Sequence, residues 1–366
     1  MKGFALKENL INFDAAAAGL PFPLLAQWYC ELLPDYSINP HGGTCYSERS
    51  RRLVMEAERR LLALLSIPEG SADVIWTSGV TEALNLAATA LRGRDVLLDP
   101  GAHDALAKPL ANAKCRKFQI ENDGRLHSDT PAEASALSHV NNETGVEQNL
   151  ARIRQETGNG LLLVDAAQSF CRIQIPWNEA GIDMLAISSR KIGGPASVGA
   201  LICRRGRAAL KPLILGGGQQ RGLRSGTLDV CGIEMFVRAA DSLCAEMALR
   251  QARIKALNEE FFRCLNGFRW KNELVCGGGK RHIHMLHLPG FEGAVISRIL
   301  AEDHGIMVAS SSACSAEHGG GSVTMKALGY SEQAAKEAIR ISFDADCAPQ
   351  EVHRLFKALD RTLENF

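Results

Sequence analysis

Between Ser71 and Arg204, short apolar runs alternate with stretches whose apolar positions fall at helical spacing. The runs Asp73–Thr77, Asp95–Leu98, Lys117–Ile120, Ala136–Val140, Leu161–Val164, Met184–Ser188 and Gly199–Cys203 predict strands. Thr81–Leu91, His103–Ala113 and Glu147–Glu156 predict the helices between them. Strands alternating with helices imply an α/β fold with a mostly parallel sheet flanked by helices. Ahead of the sheet, Leu53, Val54, Ala57, Leu61, Leu64 and Leu65 recur at helical spacing. Arg51, Arg52, Glu56, Arg59 and Arg60 fall mostly between them, which predicts an amphipathic helix with a solvated charged face.

From Gly232 to Phe262 the chain carries no further Gly or Pro, as a long connecting helix would. Beyond it, His282–Leu288 and Ile306–Ser310 predict strands, and Ala294–Ala301 and Pro349–Leu363 predict helices of a smaller α+β domain. The expected division is therefore a large domain over 15–232, a connecting helix over 233–262, and a small domain built from 1–14 and 263–366. No internal repeat or low-complexity tract interrupts this plan.

The length of 366 residues fits one large and one smaller domain. Lys+Arg and Asp+Glu both number 41, so no global charge draws the chain to nucleic acid or an anionic membrane. Met1 to Ala18 holds no secretory apolar core, and no later run approaches the roughly 20 apolar residues of a membrane span. The expectation is a soluble cytoplasmic protein. Eleven cysteines, an odd number without a C-x-x-C pair, argue for thiols that are mostly reduced and buried. Cys30, Cys45, Cys115, Cys171, Cys203, Cys231, Cys244, Cys264, Cys276 and Cys347 lack metal-ligand spacing. His282, His284 and His287 suggest no metal site either, because alternation along a strand sends the third histidine to the opposite face.

Three local features carry chemistry. T-S-G-V-T-E, Thr77 to Glu82, follows a strand and opens a helix, so backbone N–H groups near Gly79 and Val80, the Thr81 hydroxyl and the helix dipole converge on one anion site. Taken alone, Ser or Thr there is usually an N-cap. V-D-A-A-Q-S, Val164 to Ser169, sets Asp165 at the end of a buried run, where an acid needs a cationic partner unless it only caps the next turn. A protonated pyridine nitrogen is such a partner. S-S-R-K-I-G-G-P, Ser188 to Pro195, sets Lys191 just past a strand and 26 residues after Asp165. A lysine desolvated at such a position has a lowered amine pKa, suited to Schiff-base formation and proton transfer, although an isolated lysine after a strand is usually a surface residue.

Together with F-D-A-A-A-A (Phe13–Ala18), T-S-G-V-T-E-A-L-N-L-A (Thr77–Ala87), H-V-N-N-E-T-G-V (His139–Val146), G-G-G-Q-Q-R-G-L-R-S-G-T (Gly216–Thr227), S-S-S-A-C-S (Ser310–Ser315) and I-R-I-S (Ile339–Ser342), these segments resemble the class V aminotransferase group and, within it, the cysteine desulfurases. The likeness spans nearly the whole chain. It implies the pyridoxal-phosphate fold type I. By that resemblance Lys191 carries pyridoxal 5'-phosphate as a Schiff base, Asp165 meets its pyridine nitrogen, Gln168 its phenolic oxygen, and His103 stacks on the ring and handles protons. Val80, Thr81 and Ser188 correspond to phosphate ligands, Arg190 stands where the family usually has a phosphate-binding histidine, and Thr227 resembles a residue lent to the phosphate of a second subunit. A homodimer follows. Asn142 and Arg340 resemble the holders of the substrate carboxylate, the alternative for Arg340 being a surface salt bridge.

Cys314 separates a desulfurase from its relatives. Gly319 to Gly321 predicts a mobile loop around it, and an exposed cysteine on such a loop can act as a thiolate nucleophile. The implied reaction takes sulfur from L-cysteine, releases L-alanine and leaves a persulfide on Cys314 for a protein acceptor or scaffold, with iron–sulfur cluster assembly among its destinations. The chain departs from the family in Arg190, in S-F-D-A-D-C-A after Arg340, in the alanines of F-D-A-A-A-A-G and in G-G-G-S past Cys314. These departures surround the substrate pocket. Alternatives are a cysteine or selenocysteine C–S lyase, which needs Lys191 and Asp165 but no loop thiol, and a scaffold that kept the fold without catalysis.

Overall fold

The computed structural model describes residues 10–111, 113–279, 281–310 and 321–366. Its central sheet has seven strands in chain order: β1 (Ala72–Thr77), β2 (Asp95–Leu98), β3 (Lys114–Lys117), β4 (Ala134–Ser138), β5 (Leu161–Asp165), β6 (Met184–Ser188) and β7 (Gly199–Arg204). They lie in the order β1-β7-β6-β5-β4-β2-β3. Only β7 runs against the others. Apart from the edge strand β3, the strands are buried on both faces, and the pleat divides their side chains between two cores. Trp76, Leu162, Val164, Leu185 and Ile187 face one core with Phe170 and Phe236. Ile75, Leu161, Leu163, Met184 and Leu201 face the other with Leu84 and Leu98. Each such side chain contributes about 1.5–3 kcal/mol by leaving water.

The predicted strand at Lys117–Ile120 forms three residues earlier, at Lys114–Lys117. This is the sheet's edge, where lysines tolerate solvent. Phe118 turns into the core, and Gln119–Ile120 pairs instead with Leu126–His127. The amphipathic helix is α1 (Cys45–Leu64), capped by Thr44 Oγ1 accepting from Ser47 N. Two of its charged side chains are drawn inward, Arg60 pairing with buried Glu234 and Glu58 accepting from Trp76 Nε1.

Gly232–Phe262 is not one connecting helix. It is α3 (Val230–Ala245) followed by α4 (Met247–Asn266), separated by Glu246 at φ −99° and ψ 7°. The break has a packing cause, because the two halves serve different cores. Ile233, Phe236 and Val237 pack on the large sheet, whereas Leu257 and Phe261 join a second apolar cluster. That cluster lies on a four-stranded antiparallel sheet of β8 (Glu273–Leu274), β9 (Ile283–His287), β10 (Ala309–Ser310) and β11 (Ala338–Ser342), in the order β8-β9-β11-β10. Helices α5 (Gly293–His304) and α6 (Pro349–Glu364) cover it. Ile11–Asn12 pairs in parallel with Ile306–Met307, and Asp14 bridges to Ser342.

Among the described residues no helix is long and apolar enough to cross a membrane. The ten described cysteines are free thiols, but only Cys171, Cys203, Cys231 and Cys276 are buried, so the expectation of mostly buried thiols fails; Cys30 and Cys45 are exposed.

Candidate active site

The functional residues gather at the carboxyl edge of the parallel strands, where an open α/β sheet leaves a crevice for ligands. Asp165 ends β5 and Ser188 ends β6. His139 directly follows β4, and Asp99 directly follows β2.

At the sheet's β1 side, Thr77 opens a turn into helix α2 (Val80–Ala88). Gly79 there has φ 151° and ψ 176°. On the neighbouring strand, a Cβ at Gly199 would stand 2.6 Å from Gly79 Cα and C, so only glycine lets the turn pack this closely. Gly199 also pairs with Ser188, which brings Ser188 beside the turn. The first N–H groups of α2 have no intrahelical acceptor. Glu82 takes the Ser78 N–H at 2.7 Å, and its other oxygen accepts from Arg224 Nε at 2.9 Å. Arg224 thereby ties the Gly216–Thr227 segment to this helix. Gln220 ties it again, accepting from Trp76 N at 2.6 Å and donating to Trp76 O at 2.8 Å. Thr81, Arg190 and Thr227 are exposed, and Val80 is half-buried.

Asp165 is buried, and its Oδ1 accepts from Ala167 N at 2.9 Å. Burial pushes its carboxyl pKa up, opposed by the Ala167 N–H and by the positive charge of His103 and Lys191. Both cations therefore lie within electrostatic reach of Asp165. His103 caps the short Asp104–Ala107 helix, with Nδ1 accepting from Ala105 N at 3.0 Å. That bond puts the ring proton of the neutral form on Nε2. His139 is buried without a partner for Nδ1, and desolvation drives its pKa down to about 4, so it stays neutral.

Lys191 follows β6 in a single helical turn, Arg190–Ile192. Its Nζ donates to Ala16 O at 2.7 Å and Ala17 O at 2.8 Å. Ala16 O also accepts from Gln168 Nε2 at 2.8 Å, so the lysine and the glutamine meet on one carbonyl. The two backbones interlock through Gly19 N to Arg190 O at 3.1 Å and Phe22 N to Gly193 O at 2.8 Å. The lysine turn is further held by Arg172 Nη2 donating to Lys191 O at 2.9 Å.

Arg340 lies in the middle of β11 and is 6% exposed, so the surface salt bridge is excluded. Its Nη1 donates to Asn142 O at 2.9 Å and its Nη2 to Asp14 Oδ1 at 2.8 Å, while Nε is buried without a partner. Asp14 belongs to the same short segment that receives Lys191 and Gln168. Ser342 fastens that segment to β11, with Ser342 N donating to Phe13 O at 2.7 Å and Ser342 Oγ accepting from Ala16 N at 3.0 Å. Sequence reasoning passed over Asp14 as a partner of Arg340. Its one signal was an acid inside the F-D-A-A-A-A motif.

Cys314 lies outside the described residues. Past it, Glu143 accepts from Ser322 Oγ at 2.5 Å and Thr324 N at 2.9 Å. Asn141 Nδ2 adds a bond to Thr324 Oγ1 at 3.1 Å. The H-V-N-N-E-T-G-V segment therefore anchors the chain that follows the Cys314 stretch, a role sequence reasoning did not give it. The three histidines of R-H-I-H-M-L-H do not converge. His284 stacks on Phe261 at 4.6 Å, whereas His287 approaches Glu273 at 3.4 Å.

These residues fit pyridoxal phosphate. Among the described residues no cation is paired with the buried Asp165 carboxylate, whose pKa desolvation raises, and none bonds the buried Gln168 Oε1, while the turn at Gly79 opens a helix N-terminus, the kind of end that binds phosphate.

The sequence model of the family described as aminotransferase class-V matches residues 11–355. A cysteine desulfurase IscS of Pseudomonas entomophila is 32% identical, over 93% of this chain and 91% of its own. A cysteine desulfurase IscS 1 of Archaeoglobus fulgidus is 28% identical, over 89% of this chain and 90% of its own. Among solved structures, a NifS-like protein from Rickettsia africae superposes with a TM-score of 0.89 at 23% identity, covering 97% of this chain and 100% of that one, which shows the shared fold. With the motifs in the family's order along the sequence, the chain belongs to the class-V aminotransferase family and, within it, to the cysteine desulfurases.

Proposed function

We propose that this chain takes sulfur from L-cysteine, releases L-alanine and holds the sulfur as a persulfide on Cys314 for transfer to an acceptor protein. The observation that carries the reading is the meeting of Lys191, Gln168 and Arg340 on residues 14–17, which sets an amine for cofactor attachment beside a buried guanidinium for a substrate carboxylate.

Lys191 Nζ would hold pyridoxal phosphate, Asp165 its ring nitrogen, Gln168 its phenolic oxygen, and His103 the ring face. Val80, Thr81, Ser188 and Arg190 would hold the phosphate, with Thr227 contributed to a second copy of the chain. Thr227 is exposed on a segment tied to α2, which supports that role in a homodimer. The bound cofactor supplies an electron sink for negative charge at the substrate Cα. Lys191 Nζ, once free, moves the proton at that carbon. Arg340, held flat by Asp14 and Asn142 O, pairs with the substrate carboxylate and orients the Cα–H bond. His103 Nε2 is positioned by its Nδ1 bond to donate or accept a proton. The Cys314 thiolate accepts the sulfur, and proton delivery to the former sulfur-bearing carbon completes L-alanine.

The test is mass spectrometry of the Cys314 peptide after incubation with L-cysteine, together with product analysis under reductant. The expected result is one added sulfur on that peptide and L-alanine in solution, with Cys314→Ser losing the persulfide while keeping the visible cofactor band. Pyruvate and ammonia in place of alanine, with the peptide unmodified, would overturn the reading in favour of elimination.

A further inference from the structure

Away from the sheet edge, α4 and α6 pack against each other and bring together three metal-ligand side chains. Glu260 and Cys264 are one turn apart on α4, and His353 faces them from the first turns of α6. One ligand atom from each lies within 4.8 Å of the others. Cys264 Sγ is 3.4 Å from His353 Nδ1 and 3.7 Å from Glu260 Oε1, and His353 Nε2 contacts Glu260.

We propose that Glu260, Cys264 and His353 bind a divalent zinc-class cation, with water completing the coordination. Zn–S near 2.3 Å and Zn–N or Zn–O near 2.0 Å at a tetrahedral angle place sulfur roughly 3.5 Å from its fellow ligands. The two sulfur distances already match that spacing. The donor set, one sulfur, one nitrogen and one carboxylate oxygen, selects zinc or a neighbouring late transition metal over calcium or magnesium. Glu260 is held in place, its side chain 8% exposed, whereas His353 is 60% exposed and free to turn its ring. The Arg263 guanidinium now pairs with Glu260, but that arm is 69% exposed and can swing into water when a cation replaces it. Burial and the Glu260 carboxylate hold the Cys264 thiol pKa above its ordinary value. Metal binding would reverse that penalty, forming the metal–sulfur bond as the thiol proton leaves to solvent. A bound ion would staple α4 to α6, two helices that cover the smaller sheet.

The cavity lined by Cys264 and His353 shares no residue with the one lined by Lys191, so its test is separate from the desulfurase reading. Cofactor-loaded protein carrying Cys314→Ser, cleared of metal by a chelator, is titrated with Zn²⁺ against a chromophoric chelator. The same titration follows for added Cys264→Ser and, separately, His353→Gln. Each substitution should remove one tightly bound equivalent or weaken it at least 100-fold, with far-ultraviolet dichroism and the cofactor band unchanged. Co²⁺ should show a thiolate charge-transfer band that Cys264→Ser abolishes. Equal stoichiometry and affinity in the three proteins would overturn the proposal. His353→Gln, at an exposed position, keeps the test valid if Cys264→Ser perturbs folding. In the Cys314-intact protein, desulfurase turnover should be the same with or without His353→Gln.

Discussion

Gly19→Ala should damage the site without touching any charged or nucleophilic group. A Cβ at this position would stand 2.6 Å from Gly193 N, 3.1 Å from Lys191 O and 3.2 Å from Gly193 Cα, all backbone atoms that cannot rotate away. Ordinary contact begins near 3.4 Å, so the two segments must part by about 0.8 Å. They are joined by Gly19 N to Arg190 O and Phe22 N to Gly193 O, and Lys191 Nζ rests on Ala16 O and Ala17 O, so the lysine turn moves with them. Forcing extra volume into a close-packed contact costs about 1–3 kcal/mol. A misplacement approaching 1 Å costs up to about 100-fold in rate. The expected outcome is a 10- to 100-fold loss in kcat for sulfide release from L-cysteine under reductant, with a lowered Tm and a weakened cofactor band. Gly277→Ala serves as the control, since its φ of 66° strains the backbone but its Cβ would meet nothing. A Gly19→Ala enzyme within threefold of the parent, with the same band, would refute the interlock as a determinant of lysine position.

Arg340→Lys keeps the charge but loses the planar fork that reaches both Asp14 and Asn142 O; KM for L-cysteine should rise roughly 10- to 100-fold with the cofactor band unchanged, and an unaltered KM would dismiss Arg340 as the carboxylate holder. Glu58 has its pKa pushed up by burial from 4.5 to about 7, against the opposing bond from Trp76 Nε1 and the charge of Arg221. A raised folded-state pKa means its stabilising contribution is complete below about 4.5 and is lost as pH rises through about 7. Glu58→Gln should therefore gain Tm relative to the parent as pH goes from 5 to 8, and a pH-independent difference between the two melts would contradict this.

How far the sequence reached depended on how local each signal was. Met184–Ser188 and Asp95–Leu98 form where predicted, because strands buried on both faces leave uninterrupted apolar runs. Strand β11 escaped as a strand because I-R-I-S has an arginine at its centre. Burial of Arg340 is compensated by Asp14, hundreds of residues away, a pairing no local window contains. The break at Glu246 was equally hidden, since nothing in its residue type ends a helix; two cores pulling on either side do. Lys191 and Asp165 were legible from strand-end position and motif, His103 only from the family resemblance, and the structure sets Lys191 and His103 within electrostatic reach of Asp165. The anchoring of Thr324 by Asn141 and Glu143 was not, because it joins two segments that share no pattern.

The alanines at 15–18 acquire a meaning of their own from the contacts around them. Ala15 and Ala16 are 0% and 1% exposed, yet what Ala16 and Ala17 offer Lys191 and Gln168 is carbonyl oxygen, which every amino acid possesses. Selection at these positions therefore acts on size and not on functional group. Glycine or serine would preserve the hydrogen bonds, while valine or leucine would press on β11 and the lysine turn together. The segment can change its side chains and keep its job, provided it stays small and keeps the acid at its head.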